Sequence, residues 1–358
     1  MGRSGKKVIG VAAVGLAAAA YLRRASTFVP GPLRQTAPLA AVSAATMFGS
    51  AASAATVEEA AKKLADTSYP MVKATDWATT DVLDKYMANV PTTKDFSKAI
   101  LDLSVNLDPA LVKTAVQAHK KAVDAMGPNF VTPLKNHEEV TVALAKMFAA
   151  APKDKIKAVF DATPGVQDLN SAWYAQMPKA DTDATFEAFK ALAEVVKASP
   201  EKAVARVAAP SLDGPIGEAA KKLADASYPM LEKVDWASTG VLDKYVVNTP
   251  ANKAGISALL DAGLAMDSNL IQGATQAHLD AVNAVGGNLL TPLANHEAVT
   301  VAIAKLIASA PPSKIKAVFD TVPSVQGLNL DWFNTMSAPD AIKSYQAFLE
   351  TASAVLSK

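Results

Sequence analysis

Apolar residues recur at three- and four-residue intervals along most of this 358-residue chain, the spacing that gathers them on one face of an α-helix. Val57, Ala60, Ala61, Leu64, Ala65 and Ser68 make one such stripe, built mostly of small residues. Runs of Val, Ile and Thr alternating with polar residues are scarce, so the pattern predicts no convincing strand. Asp108-Pro109 reads as an N-cap followed by a first-turn proline. Asn136 with Glu139 three residues later reads as a capping box, repeated as Asn295 with a non-matching Ala298. Pro70 and Pro229 fall late in two equivalent stripes and are predicted to end or kink those helices. Pro91, Pro133, Pro152, Pro164 and Pro178 fall between periodic segments and mark loops. The pattern therefore predicts an all-α chain.

The same pattern occurs twice. EAAKKLAD begins at Glu59 and again at Glu218, an offset of 159 residues that also separates His119 from His278, His137 from His296, and Phe160 from Phe319. Asp84 in DVLDKY matches Asp243 in VLDKY, Trp77 matches Trp236, and Trp173 matches Trp332 at the same offset. A period this long is a domain duplication, since solenoid repeats are far shorter. Two halves that keep their length and their special residues are expected to fold alike, each holding one copy of the same site. The segment from Ser199 to Pro215, with its prolines and its Ser-Leu-Asp-Gly turn, reads as the connection between them. The predicted organisation is a presequence over 1–54, a first helical repeat over 55–199, a linker over 200–215 and a second repeat over 216–358.

The presequence stands apart in charge. No Asp or Glu precedes Glu58, whereas Arg3, Lys6 and Lys7 lead into the apolar run Val8–Leu22, closed by Arg23 and Arg24. A basic end plus an apolar run of this length reads as a secretory signal, too short for a comfortable membrane span. The acid-free Ser- and Thr-containing stretch from Ser26 to Arg34 suits a plastid transit peptide, and the small-residue run ending Ala52-Ser53-Ala54 suits a second cleavage site. Three signals in series are expected, with a mature start near Ala55; a retained amphipathic or membrane anchor is the alternative. Removing the six basic residues of this stretch takes the formal charge from +1 to −5. That balance, with no Lys/Arg block, leaves no electrostatic footprint for nucleic acid. The absence of cysteine excludes a thiol nucleophile, Cys-ligated zinc and iron–sulfur clusters.

The candidate chemistry is the first pair of histidines. His119 shares its helix face with Val112, Ala115, Val116, Ala122, Val123 and Met126; His278 shares its face with Ile271, Ala274, Thr275, Ala281, Val282 and Val285. Neither has a carboxylate one turn away. Two readings stay open: a core histidine bonded to a distant carbonyl, or an axial ligand to a metal, directly or through a water. His137 and His296 follow the predicted N-cap Asn and are expected to sit solvated in the first turn of a helix. The aromatic pair Trp77 and Trp236 reads as core. No G-x-S-x-G, P-loop, dinucleotide fingerprint or H-E-x-x-H occurs, so the residues point away from an enzyme.

These residues together resemble the peridinin–chlorophyll a-binding proteins of dinoflagellates. The resemblance covers nearly all of residues 56–358. It rests on EAAKKLADTSYP and EAAKKLADASYP, Asp76-Trp77 and Asp235-Trp236, Ala118-His119 and Ala277-His278, the VTPL and LTPL turns, the Val-Ala-Leu-Ala and Val-Ala-Ile-Ala helices, and the AVFD segments. It implies a multihelical α-solenoid, a boat-shaped shell of two pseudo-symmetric halves around an apolar pigment cavity. It implies chlorophyll a and peridinin as cofactors, with a galactolipid as a further candidate. His119 and His278 then hold the chlorophyll magnesium through a water, beside a pocket wall of Ala115, Ala122, Thr141, Ala274, Ala281 and Thr300. The implied function is a water-soluble light-harvesting antenna of the thylakoid lumen, passing excitation from carotenoid to chlorophyll and on to membrane photosystem or antenna complexes, with homo-oligomers among its partners.

The chain departs from the family's pattern at Lys120 and Leu279, where relatives carry a second His, at Thr141 and Thr300, where they carry Asn, and at His137, where they tend to carry Trp or another bulky residue. A hydroxyl is shorter than an amide and offers fewer donors, which puts any polar pigment contact from Thr141 and Thr300 in question. Physics agrees with the resemblance in one respect. An empty cavity of about 500 Å³ costs on the order of 12 kcal/mol, comparable with the whole stability of a domain, about 5–15 kcal/mol, so the cavity is expected to be filled by pigment, or the pigment-free protein to collapse or loosen. The remaining alternatives are a general apolar-ligand or tetrapyrrole carrier and a ligand-free helical scaffold.

Overall fold

The structure is a computed structural model, and it describes residues 55–74, 91–126, 137–162, 178–232, 250–285, 296–326 and 337–358. Among these, every regular element is a helix. The first half contributes α1 (Val57–Ala74), α2 (Pro91–Ser104), α3 (Pro109–Met126), α4 (His137–Ala149), α5 (Lys153–Ala162) and α6 (Lys179–Ala198). The second contributes α7 (Pro215–Glu232), α8 (Pro250–Ala265), α9 (Ser268–Val285), α10 (His296–Ser309), α11 (Pro312–Gln326) and α12 (Ala338–Leu356). No described helix is long and apolar enough to cross a membrane. The presequence, all four Trp, Asp84, Asp243, Asn136 and Asn295 lie outside the described residues.

Helix starts follow from local chemistry. Thr56 and Glu59 cap α1 reciprocally: the Thr56 amide donates to the Glu59 carboxylate (2.8 Å) and the Glu59 amide donates to the Thr56 hydroxyl (3.2 Å), a capping box that satisfies two orphan amide groups. Asp108 caps α3 as expected, accepting from the Ala110 amide at 2.9 Å. The prolines inside α1 and α7 do not end them: each helix runs on past Pro70 or Pro229 to Ala74 or Glu232. Both prolines and the residues one turn before them, Asp66 and Asp225, are exposed. Water can therefore satisfy the carbonyl that proline leaves unbonded, and the cost falls below what ends a helix in a dry interior.

Each half repeats one packing scheme. The predicted small-residue stripe of α1, from Ala60 to Ser68, is buried, and α1 packs on α4 and α6, as α7 packs on α10 and α12. Likewise α3 packs on α4 and α2 on α5, matched by α9 on α10 and α8 on α11. The halves meet through α3 against α8 and α9 against α2. Each contact joins a helix to the counterpart of its mate, the pattern of a self-complementary twofold interface within one chain. The largest apolar cluster lies along this seam and draws Ile100, Leu103, Val123 and Leu144 from the first half and Ile256, Leu260, Leu279 and Val282 from the second. Polar contacts also cross it: the Ser257 hydroxyl donates to Asp124 at 2.6 Å, and the buried Gln272 amide donates to the Val105 carbonyl at 3.4 Å.

Residues 199–214 form no helix and act as a strap rather than a loose tether. On the first half, the Lys202 amide donates to the Ala150 carbonyl (2.7 Å), Lys202 pairs with Asp108, and Arg206 pairs with Asp102 at 2.7 Å. On the second half, Lys305 donates to the Ser211 carbonyl and to the Asp213 carbonyl (2.9 Å). Two glycines admit the strap. A Cβ on Gly217 would stand 2.2 Å from the Leu212 carbonyl oxygen, and one on Gly273 would stand 2.9 Å from that of Ala208. Gly214, with φ +89°, turns the chain into α7, a conformation that costs glycine little.

Candidate functional site

His119 occupies the middle of α3 and is wholly buried, at 0% exposure. Ala115 and Ala122, one turn to either side, are equally buried, as is Val123. His278 occupies the matched place on α9, between Ala274 and Ala281, both buried, but its own ring is only partly covered. The two rings thus keep the same neighbours and differ in access. The residues that follow them differ as well. Lys120 turns outward to pair with Asp124, whereas Leu279 is buried in the inter-half cluster.

The donor set fits a magnesium macrocycle. A neutral imidazole nitrogen can ligate a metal or hydrogen-bond a water on it, and no carboxylate lies one helical turn from either ring. Ala115, Ala122, Ala274 and Ala281 put single methyl groups one turn from the imidazoles, and all four lie within the buried apolar clusters. No group of three or more His, Asp or Glu placed to hold a bare metal ion occurs among the described residues. A cleft of about 480 Å³ at the start of α1, lined by Thr56, Val57, Glu58, Glu59, Lys62 and Lys146, is of a different kind. The Lys146 and Lys62 ammoniums there hold the Glu58 carboxyl below the usual carboxylate range, and a charged, solvent-facing surface of this type does not suit an apolar ligand.

Thr141, on α4, is half-buried, and its hydroxyl donates to the His137 carbonyl at 2.9 Å. Its only hydroxyl proton is thus engaged by its own helix, and the side chain can offer a ligand a methyl group and lone pairs. Thr300, on α10, is half-buried at the matched position.

His137 departs from the expectation of a solvated helix-start residue. Its ring stacks on Tyr69 with centroids 4.2 Å apart and planes inclined by 11°, and its Nε2–H donates to the Ala65 carbonyl at 3.0 Å. The side chain fastens the start of α4 to α1. Spacing within α4 could not reveal this, because the partners lie on α1, three helices earlier. The Thr56–Glu59 cap, in contrast, was written in the sequence as Thr-x-x-Glu ahead of an apolar stripe. The His296 side chain lies outside what the structure describes.

The comparisons with known proteins agree with this arrangement half by half. A family model described as peridinin–chlorophyll a binding protein matches residues 55–196 and again 213–355. The chain is 33% identical to peridinin–chlorophyll a-binding protein 1, chloroplastic, of Amphidinium carterae, over 97% of each chain. It is 34% identical to the peridinin–chlorophyll a-binding protein, chloroplastic, of Symbiodinium sp., again over 97% of each. Among solved structures, the high-salt form of peridinin–chlorophyll a protein is similar with a TM-score of 0.67 and 30% identity, covering 84% of this chain and 99% of that one. Two family matches that coincide with the two helical halves, and relatives that span nearly the whole sequence, lead to one conclusion: the chain belongs to the peridinin–chlorophyll a binding protein family.

Proposed function

We propose that the protein is a light-harvesting pigment carrier, not an enzyme, in which each half holds one chlorophyll a and a set of peridinins. The observation that carries this reading is a histidine on an alanine-lined helix face in each half, in register, wholly buried in the first and partly covered in the second, in a chain whose relatives are named for these pigments. Chlorophyll supplies the magnesium and the chromophore when bound. His119 and His278 each place a ring nitrogen for the magnesium's water. Ala115 with Ala122, and Ala274 with Ala281, set single methyl groups one turn from each ring. Thr141 and Thr300 contribute apolar surface more than donors. The halves hold the two sites at a fixed separation because their seam is packed and strapped.

Excitation absorbed by carotenoid then passes to chlorophyll and onward to membrane photosystem or antenna complexes. The relatives' names carry the word chloroplastic, and the acid-free stretch ahead of Glu58 suits import into a plastid and then into the thylakoid lumen. A galactolipid fits as an additional apolar ligand.

The test is the fluorescence-excitation spectrum of the pigment-loaded protein, with emission read from chlorophyll. A carotenoid band in that spectrum is the expected result; chlorophyll emission without one, or a colourless protein that melts in one sharp transition, overturns the reading. Replacing His119 or His278 by Ala should shift or partly deplete the chlorophyll band of one half only. A water-bridged bond nets about 0.5–1.5 kcal/mol beside a large apolar contact, so retention should fall rather than vanish.

A further inference from the structure

The strap treats the two histidine-bearing helices differently. On the first half it is held at helix ends, through Asp108 ahead of α3, Asp102 in the last turn of α2 and the Ala150 carbonyl after α4. On the second half it lies against α9 itself. Gly273 there is buried, and a Cβ on it would stand 2.9 Å from the Ala208 carbonyl oxygen and 3.1 Å from Pro210 Cδ. Ala209, between them, packs on the apolar cluster that contains Ala274 and Ala277, and Leu212 packs on Ala220, Val301 and Ala304. The place on α3 that matches Gly273 is Thr114, which is exposed and bonds its own helix, donating to the Ala110 carbonyl at 3.0 Å.

We propose that Gly273, with the strap segment Ala208–Pro210 behind it, is a positioning device for His278: together they fix where α9 presents its imidazole to the chlorophyll magnesium. This rests on the pigment-carrier reading above. Five residues separate Gly273 from His278, about 140° round the helix and about 7.5 Å along it. The strap therefore presses on nearly the opposite side of α9 from the imidazole. His119 is wholly buried, so protein packed around it fixes its ring. His278 is only partly covered, so its ring is placed by where α9 itself lies. A ligand-holding group keeps its geometry only when what stands behind it is rigid. The strap is anchored just past the crossing, where Lys305 of α10 donates to the Ser211 carbonyl and to the Asp213 carbonyl (2.9 Å). Glycine sets the spacing, since any side chain at this place would part α9 from the strap.

The test pairs the chlorophyll absorption band of the pigment-loaded protein with trypsin cleavage of the strap after Lys202 and Arg206, a readout that needs no pigment. Gly273→Ala should shift the band and speed cleavage at least about fivefold, because overpacking loosens the strap and cleavage follows the open population. The band shift should persist in a His119→Ala background and disappear in a His278→Ala background. Lys305→Met, which adds no atom to α9, should move both readouts, and Lys305→Arg should restore both. Thr114→Ala, at the matched place on α3, should move neither. Faster cleavage with an unchanged band, a shift that survives His278→Ala, or no change in either readout overturns the proposal and leaves the pigment-carrier reading in place. Wild-type protein that retains no chlorophyll overturns that reading and this proposal with it.

Discussion

The two halves reach the same helix, α1 or α7, by different means. The first half opens α1 with the Thr56–Glu59 capping box and sends Glu58 outward to Lys62 and Lys146, at 3.1 and 2.7 Å. The second half has Pro215 where Thr56 stands and Gly217 where Glu58 stands, and the Leu212 carbonyl of the strap occupies the space above Gly217. Lysine at the matched place on α4 and α10 follows suit: Lys146 binds the Glu58 carboxylate, and Lys305 binds strap carbonyls. The difference teaches that the duplicated fold did not need a particular cap. It needed one end of the helix held, and the connecting segment took over that task in the second copy.

The sharpest way to break this comparison is Gly217→Ala. The new methyl carbon meets a backbone oxygen at 2.2 Å, and a backbone cannot swing aside as a side chain can. The strap or the start of α7 must move, and the loss should reach about 3 kcal/mol, the upper part of the overpacking range. Glu58→Ala, at the matched but solvent-facing position, should produce a far smaller shift in melting temperature. Gly273→Ala and its counterpart Thr114→Ala repeat the contrast more gently, because the Ala208 carbonyl lies 2.9 Å away and Thr114 is exposed. Equal melting temperatures for Gly217→Ala and Glu58→Ala would show that the strap is not packed on α7.

A second contrast concerns how α4 is held. His137→Ala removes the stack on Tyr69 and the bond to Ala65, together about 2 kcal/mol. His137→Phe should recover roughly half, since the stack returns and the hydrogen bond does not. Thermal unfolding of the three proteins decides; a loss of the same size in His137→Phe would assign the whole effect to the hydrogen bond.

Much of this was legible in advance. The constant offset fixed two equivalent halves, the stripe of Ala60 to Ser68 gave the buried face of α1, and Asp108-Pro109 marked the start of α3. What escaped shares one physical cause. Gly217 and Gly273 are small because chain from outside their own turn crosses them, and His137 is half-buried against residues of α1. Periodicity describes one helix against a generic interior, so it does not see which neighbour arrives. Pro70 and Pro229 misled for the converse reason: a rule drawn from helix interiors was applied where solvent replaces the lost bond. For the candidate site, the sequence gives the two histidines equal surroundings; their unequal burial depends on what the rest of the fold lays over them.

The third contrast is a single hydroxyl. Thr185 on α6 donates to the Thr67 carbonyl of α1 at 3.0 Å and is buried. Its counterpart Ser344, also buried, has no partner for its hydroxyl, and the second half bridges the same two helices elsewhere, from Thr351 to the Ala219 carbonyl at 3.0 Å. Thr185→Val should therefore cost about 1 kcal/mol, whereas Ser344→Ala should be neutral or stabilising, since it removes a buried polar atom that makes no bond. A loss on Ser344→Ala as large as that on Thr185→Val would mean the two hydroxyls do equal work and the contrast fails.

The smallest effect is one of pH, and it tests the strap where it leaves the first half. Asp108 is buried, and the Lys202 ammonium of the strap holds its carboxyl below the ordinary value of 3.8, outweighing the burial that pushes the other way; the Ala110 amide adds to the depression. A carboxyl with a lower pKa folded than unfolded stabilises the native state at pH above its unfolded value. That contribution is lost as pH falls through the folded value. The strap's hold on Asp108 should therefore be full near neutrality and should fade below about pH 4. Asp108→Asn keeps an N-cap side chain while removing the titration, so its acid-side loss of stability should be shallower than that of the wild type. Lys202→Met should flatten the same limb by removing the other partner, and adding it to Asp108→Asn should flatten the limb no further. Denaturant midpoints measured from pH 6 downward check this. If Lys202→Met leaves the acid limb as steep as in the wild type, the depression of Asp108 comes from its helix and not from the strap.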